Sequence, residues 1–199
     1  MWVIASSAVA HQTRVPGDDS GIPIPFVTHG EMAVLSSYRH DILALAQRVR
    51  KPEAKLSTLV RFTEIQHRKC LWNMVPGTLT DEASPFNECA HADLAGAKAV
   101  LLELRGRPEV AAETHELLSR IDFEMALNGA AFIGCQYSGE GFNTAQLLDP
   151  HWSAVPLHWP SMLTLTLGLS GFPLTAFGIS KAQRIIVSKS LCLDWYEAA

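Results

Sequence analysis

The chain has 199 residues, enough for one domain with a substantial hydrophobic core. Hydrophobic residues make up 48% of it and charged residues 18%, which excludes the polar, highly charged composition of a disordered protein. The formal net charge of -4 excludes the strongly basic surface on which nucleic-acid binding depends. We therefore expect a single globular domain, residues 1–199, that binds no nucleic acid.

Glycine and proline interrupt the N-terminal part of the chain too often for a long helix or strand. Six of the residues between 11 and 30 are glycine or proline. We predict an extended lead-in over residues 1–30. The first residues also lack the basic region of a secretory signal peptide, so a cytoplasmic protein with reduced thiols is expected.

Residues 31–128 carry apolar side chains at alternating spacings of three and four, which is the period of an amphipathic helix. Proline and glycine divide this region into four segments, with breaks at Pro52, Pro76-Gly77, Gly106 and Gly129. Short connections favour antiparallel packing of consecutive helices. The sequence therefore predicts an antiparallel four-helix bundle over residues 31–128.

The helical period is lost in residues 129–199. Residues 130–137 form an apolar run typical of a buried strand, and leucines between 163 and 169 alternate with threonine and glycine as in a half-buried strand. Residues 172–179 and 184–193 could extend a meander. We predict a C-terminal small antiparallel sheet or irregular extension, so the fold class is α+β, mainly α.

Alternating helices bring the end of the second helix, the start of the third and the end of the fourth to one pole of the bundle. This pole collects imidazole, thiol and carboxylate groups, the ligands that zinc accepts in proteins. The predicted metal-site residues are His67, Cys70, His91, Asp93 and Glu124. The expected cofactor is a divalent transition metal, with zinc favoured over iron.

Other interpretations of the same pole remain open. The Glu-x-x-His pairs that end at His67 and His91 have the spacing of di-iron bundles. That architecture also needs an inward carboxylate on each of the other two helices, and the two pairs here lie on adjacent helices, so a di-iron site is the weaker alternative. Cys70 and Cys89 could instead form a disulfide. Buried cysteine and histidine are also common in cores without any ligand, because a few hydrogen bonds satisfy them.

The leading functional hypothesis is a sensory or accessory protein that binds a small molecule or metal ion at this pole. A second hypothesis is a protein–protein interaction or structural module, in which the charge-free aromatic segment 150–180 forms the interface, including one between copies of the chain. A third is an enzyme with His67 as general base, oriented by Asp93 or Glu124. Membrane insertion is not expected, because prolines and glycines break the longest apolar stretch.

Overall fold

The computed structural model describes residues 21–168, which are mainly helical. Four long helices are present: α1 (His29–Gln47), α2 (Ala54–Lys69), α3 (Asn87–Leu104) and α4 (Ala111–Leu127). Residues 159–168 form a further helix, α5. Two short strands, β1 (Pro23–Ile24) and β2 (Phe142–Asn143), pair antiparallel, with Pro23 opposite Asn143. The sheet therefore fastens the lead-in to a segment that follows the four long helices.

Helix α3 occupies the centre of the fold. Fourteen of its 18 residues are buried, so neighbouring elements cover nearly its whole circumference. Small residues allow this close packing: a Cβ atom on Gly96 would lie 2.6 Å from Thr63 Oγ1 and 3.1 Å from the Phe62 ring. Helix α2 is thus held against α3 at a distance that a larger residue would prevent.

Ion pairs at the helix ends show how the helices are oriented. Lys55, at the start of α2, contacts Glu103 near the end of α3 at 2.8 Å, so these two helices are antiparallel. Arg48, just after α1, contacts Glu113 near the start of α4 at 2.6 Å. The two antiparallel pairs agree with the predicted alternation. The arrangement of all four helices as one bundle stays a prediction.

The strand predictions for the segment after α4 are wrong within the part of the chain that is described. Ala130–Phe132 is a short 3-10 helix, and residues 159–168 are helical. In α5, Thr164 and Thr166 donate their hydroxyls to backbone carbonyls four residues earlier, which satisfies threonine inside a helix. The lead-in before residue 21 and the predicted strands at 172–179 and 184–193 lie outside the described residues.

A disulfide joins Cys70, just after α2, to Cys89 in the first turns of α3, with the Cα atoms 5.6 Å apart. The buried Gln66 amide lies beside it, with Nε2 3.1 Å from Cys89 Sγ, and also donates to Leu148 O at 2.9 Å. The disulfide thus lies in the core, where the chain after β2 returns to the helices. The expectation of reduced thiols is therefore wrong for this pair.

Aromatic side chains of the segment 150–168 lie at the surface. Trp152 packs edge-on against Phe86 with ring centroids 5.6 Å apart, whereas Trp159 is 72% exposed. The predicted interface through 150–180 stays a prediction, and its last part lies outside the described residues. Between residues 21 and 168, no helix combines the length and apolar character needed to cross a bilayer.

Candidate functional site

Helix α3 presents polar residues in two directions over a single turn. Cys89 and Asp93 are four residues apart and therefore lie on one face, which meets α2. His91 lies between them in sequence and points to the other side, toward the start of α1 and Cys135. Two separate polar sites consequently flank the same helix.

The first site, which we call the His–Cys cluster, consists of His29, His91 and Cys135. One possible ligand atom from each residue lies within 4.8 Å of the others, and His91 Nε2 is 3.1 Å from Cys135 Sγ. Ligand atoms of a tetrahedral zinc ion are separated by roughly 3.5 Å, given the usual bond lengths. Small side-chain rotations would therefore bring the three groups around one ion.

Two imidazole nitrogens in this cluster lack hydrogen-bond partners. His29 Nδ1 and His91 Nδ1 are both buried, and neither has a partner within residues 21–168. An unsatisfied buried polar atom is costly, so such atoms call for an explanation such as a bound ion. Burial, together with the smaller effect of the nearby His29, lowers the pKa of His91 from 6.5 to about 4. His91 is therefore neutral near pH 7, the form that binds metals.

Ser138 holds the cluster together. Its Oγ accepts hydrogen bonds from the backbone N–H groups of Cys135 at 2.8 Å and of His29 at 3.1 Å. The same hydroxyl lies 3.5 Å from Cys135 Sγ. Thr28 caps α1 by accepting a hydrogen bond from the Glu31 N–H, which fixes where the helix begins. These bonds place the first residue of α1 beside the thiol.

The second site is built around the fully buried carboxylate of Asp93, and we call it the Asp93 network. Arg39 Nε donates to both carboxylate oxygens, at 2.9 and 3.1 Å. His67 Nδ1 lies 2.8 Å from Oδ2, and Asn73 Nδ2 donates to the same oxygen at 3.0 Å. Arg39 Nη2 also donates to Thr63 O at 3.1 Å. The carboxylate is therefore both charge-paired and saturated with donors.

An unusual turn completes the Asp93 network. Leu71, Trp72 and Asn73 have φ angles of 53°, 54° and 55°, a left-handed conformation that residues other than glycine rarely adopt. The turn directly follows Cys70, whose disulfide holds it to α3, and it places Asn73 on Asp93. Such strained backbone persists only where its surroundings enforce it, and it is concentrated at functional sites.

A cavity of about 250 Å³ opens beside the Asp93 network, between α1, α2 and the left-handed turn; we call it the α1–α2 cavity. Arg39 and His67 line it from the network, and the half-exposed Trp72 from the turn. Arg68 and Glu64 of α2 add one positive and one negative charge to its wall.

The five predicted metal-site residues do not meet at one point. His67 and Asp93 are in contact, Cys70 is bonded to Cys89, and His91 belongs to the His–Cys cluster. Glu124 accepts a hydrogen bond from the Tyr38 hydroxyl, which raises the pKa of Tyr38. With its sulfur in the disulfide, Cys70 offers no thiolate to a metal, so its assignment as a ligand is wrong in this structure.

A serine–histidine–aspartate arrangement near α5 has a structural role. His158 Nδ1 lies 2.7 Å from Ser161 Oγ, and His158 Nε2 lies 2.9 Å from Asp81 Oδ2. The hydrogen bond from His158 lowers the pKa of Asp81. Ser161 is completely buried, so its hydroxyl cannot meet a substrate. These contacts fix the start of α5 to the loop before α3.

Comparisons with protein-family models, curated proteins and solved structures found no match to this chain. The function is therefore argued from the geometry of the two sites. Sequence reasoning missed His29 and Cys135 because neither belongs to a spaced motif. His29 precedes the predicted start of the first helix, and Cys135 lies 44 residues after His91. The clearest available signal was the lone cysteine in a turn-rich segment close to the fourth helix.

Proposed function

We propose that this chain binds a divalent transition metal ion, with zinc favoured, through His29, His91 and Cys135. The observation that carries the proposal is the convergence on one thiol of two imidazoles, the buried ring of His91 and the partly buried ring of His29, each with a buried Nδ1 that lacks a hydrogen-bond partner among the described residues. The proposal keeps His91 from the sequence-based ligand set and replaces its other members.

The donor set supports zinc over harder ions. Two imidazole nitrogens and one thiolate suit zinc, whereas magnesium and calcium prefer oxygen ligands. Three protein ligands leave a fourth position for water or a small molecule, as in catalytic zinc sites. A sensory or accessory role, in which a small molecule takes the fourth position, is compatible with this geometry.

Cobalt(II) titration of the metal-free full chain tests the proposal. We expect a thiolate-to-cobalt charge-transfer band in the near ultraviolet and intense visible bands of a tetrahedral site. Cys135→Ser should abolish the charge-transfer band, because that band requires the thiolate. The variant should also weaken zinc binding by more than about tenfold, since even removal of outer-shell partners costs that much.

His115→Gln is the matched control, because His115 is exposed on α4 and should leave both readouts unchanged. The protein should be purified without a histidine tag and analysed for metal content. A wild-type protein that gives no thiolate band, or a C135S variant that binds zinc as tightly as wild type, would overturn the proposal.

A second candidate function is acid–base catalysis by His67. The specific observation in its favour is the 2.8 Å contact between His67 Nδ1 and Asp93 Oδ2, because a buried carboxylate orients imidazole as a base. Asp93, rather than Glu124, is the orienting group in this version. His67 is part-exposed and lines the α1–α2 cavity, so a substrate could reach its ring.

Hydrolysis of p-nitrophenyl acetate measures the reactivity of His67 without knowledge of a natural substrate. We expect the chain to hydrolyse the ester faster than buffer and His67→Gln to reduce the rate by at least about tenfold. His40→Gln, which changes an exposed histidine at the same cavity, should retain the wild-type rate. Equal rates for H67Q and wild type would rule out a basic role for His67.

The finer architecture and the compartment remain proposals. We infer a four-helix bundle from the two antiparallel pairs, α1 with α4 and α2 with α3. The Cys70–Cys89 disulfide argues against the cytoplasmic prediction, because disulfides persist mainly in oxidising compartments.

A further inference from the structure

We propose that the α1–α2 cavity binds a small monocarboxylate with a flat apolar body. Its volume of about 250 Å³ lies just below the range of about 300 to 1,000 Å³ that is usual for drug-sized ligands, which suits a molecule of one ring. The guanidinium groups of Arg39 and Arg68 would hold the carboxylate, and Trp72 would pack against the flat part.

Arg39 is positioned for this role before any ligand arrives. Asp93 fixes its Nε, Thr63 O fixes its Nη2, and the side chain is 14% exposed at the cavity. Within the described residues, Nη1 donates no hydrogen bond. A guanidinium held rigidly on one edge loses little freedom when its other edge binds a carboxylate.

The charges around the cavity disfavour a ligand with more than one negative charge. Asp93 neutralises the positive charge of Arg39, and the negative charge of Glu64 on the cavity wall offsets that of Arg68. The site is therefore close to electrically neutral before binding, with His67 and His40 as its other titratable groups. A dianion such as phosphate would face Glu64 with its second charge, which disfavours it.

The left-handed turn explains the apolar wall. The turn holds three successive residues in a strained backbone conformation, and it leaves 52% of the Trp72 surface exposed. The disulfide at Cys70 and the Asn73–Asp93 hydrogen bond hold this conformation from both ends. Strain of this kind is characteristic of ligand clamps, and an indole face accepts a flat ring or acyl chain.

Four probe compounds test the assigned chemistry by titration of the full chain. Benzoate carries both features, benzamide lacks the charge, acetate lacks the ring, and inorganic phosphate adds a second charge. We expect benzoate to bind at least about tenfold more tightly than each of the other three, since a charged hydrogen bond contributes about this factor. Nuclear magnetic resonance should show shifts at Arg39 Nε–H and the Trp72 indole.

Two variants locate the site without disturbing the Asp93 network. Arg68→Gln and Trp72→Leu should each weaken benzoate binding by about fivefold or more, while circular dichroism stays unchanged. Arg61→Gln removes an equal charge from an exposed position of α2 that does not line the cavity, and it should bind like wild type.

The outcomes separate this proposal from metal binding. Cys135→Ser should bind benzoate as tightly as wild type, because the His–Cys cluster lies on the other face of α3. Loss of benzoate binding in C135S would overturn a separate site. Equal binding of benzamide or phosphate, no measurable benzoate binding, or unchanged affinity in both R68Q and W72L would overturn the proposed ligand class.

Discussion

Replacing Asp93 with alanine is expected to lower the free energy of unfolding by about 3 to 5 kcal/mol, the usual effect of removing one partner of a buried ion pair. The carboxylate is completely buried and accepts from Arg39, His67 and Asn73. Without it, the Arg39 guanidinium keeps little access to water and has lost its counter-charge. Urea-induced unfolding followed by circular dichroism measures the change.

Asp122→Ala provides the matched control, because Asp122 is exposed on α4 and its loss should change stability by less than about 0.5 kcal/mol. The D93A variant also discriminates between the two sites. It should still give the thiolate-to-cobalt band, since Asp93 is not part of the His–Cys cluster. A destabilisation below about 1 kcal/mol would show that Arg39 is satisfied by other means.

The metal-free protein is expected to lose roughly 3 kcal/mol of stability through His91 alone between pH 7 and pH 4, which corresponds to its pKa shift. His91 has a pKa of about 4 in the folded protein because burial disfavours the charged ring, against 6.5 in an unfolded chain. Between these values the unfolded state binds more protons. Acidification through this window therefore favours unfolding, and stability is fully present above pH 6.5.

Urea unfolding in a chelating buffer at both pH values measures this effect. Each variant is compared with wild type, because carboxylates elsewhere contribute to the slope of both proteins. His91→Gln should lose roughly 3 kcal/mol less than wild type on acidification, whereas His115→Gln should follow wild type. Parallel pH profiles for H91Q and wild type would show that His91 is not held neutral by its surroundings.

The positions of the four long helices could be predicted from the sequence, because apolar periodicity and breaking residues are local signals. Most observed bounds fall within about three residues of the predicted ones, and Pro52 and Gly106 indeed lie between helices. The prediction that the second helix continues to Pro76-Gly77 is wrong, because α2 ends at Lys69 and the left-handed turn of residues 71–73 follows it. The strand prediction around Leu163 was wrong because it also relied on a local pattern of apolar residues. Alternating leucine and threonine over so short a run fits a helix whose threonines bond to their own backbone.

The site could be predicted only in part. The sequence predicts that His67 and Asp93 lie at the same pole of the bundle, and in the structure the two side chains are in contact. His91 could not be assigned to its partners, because they come from the helix start at His29 and from Cys135. Such contacts depend on how a turn folds back after α4, and no residue period encodes that path.

The near-complete burial of α3 also limits how this chain can diverge. Glu88, Lys98, Leu102 and Glu103 are the only α3 residues not buried in the structure as described, so most substitutions elsewhere in the helix require compensation in α1 or α2. His91 and Asp93 nevertheless face different neighbours. A substitution at one of them would remove the contacts of that site and leave those of the other site in place, with compensation needed for the lost packing. Natural selection could therefore act on the His–Cys cluster and the Asp93 network independently, although both include residues of α3.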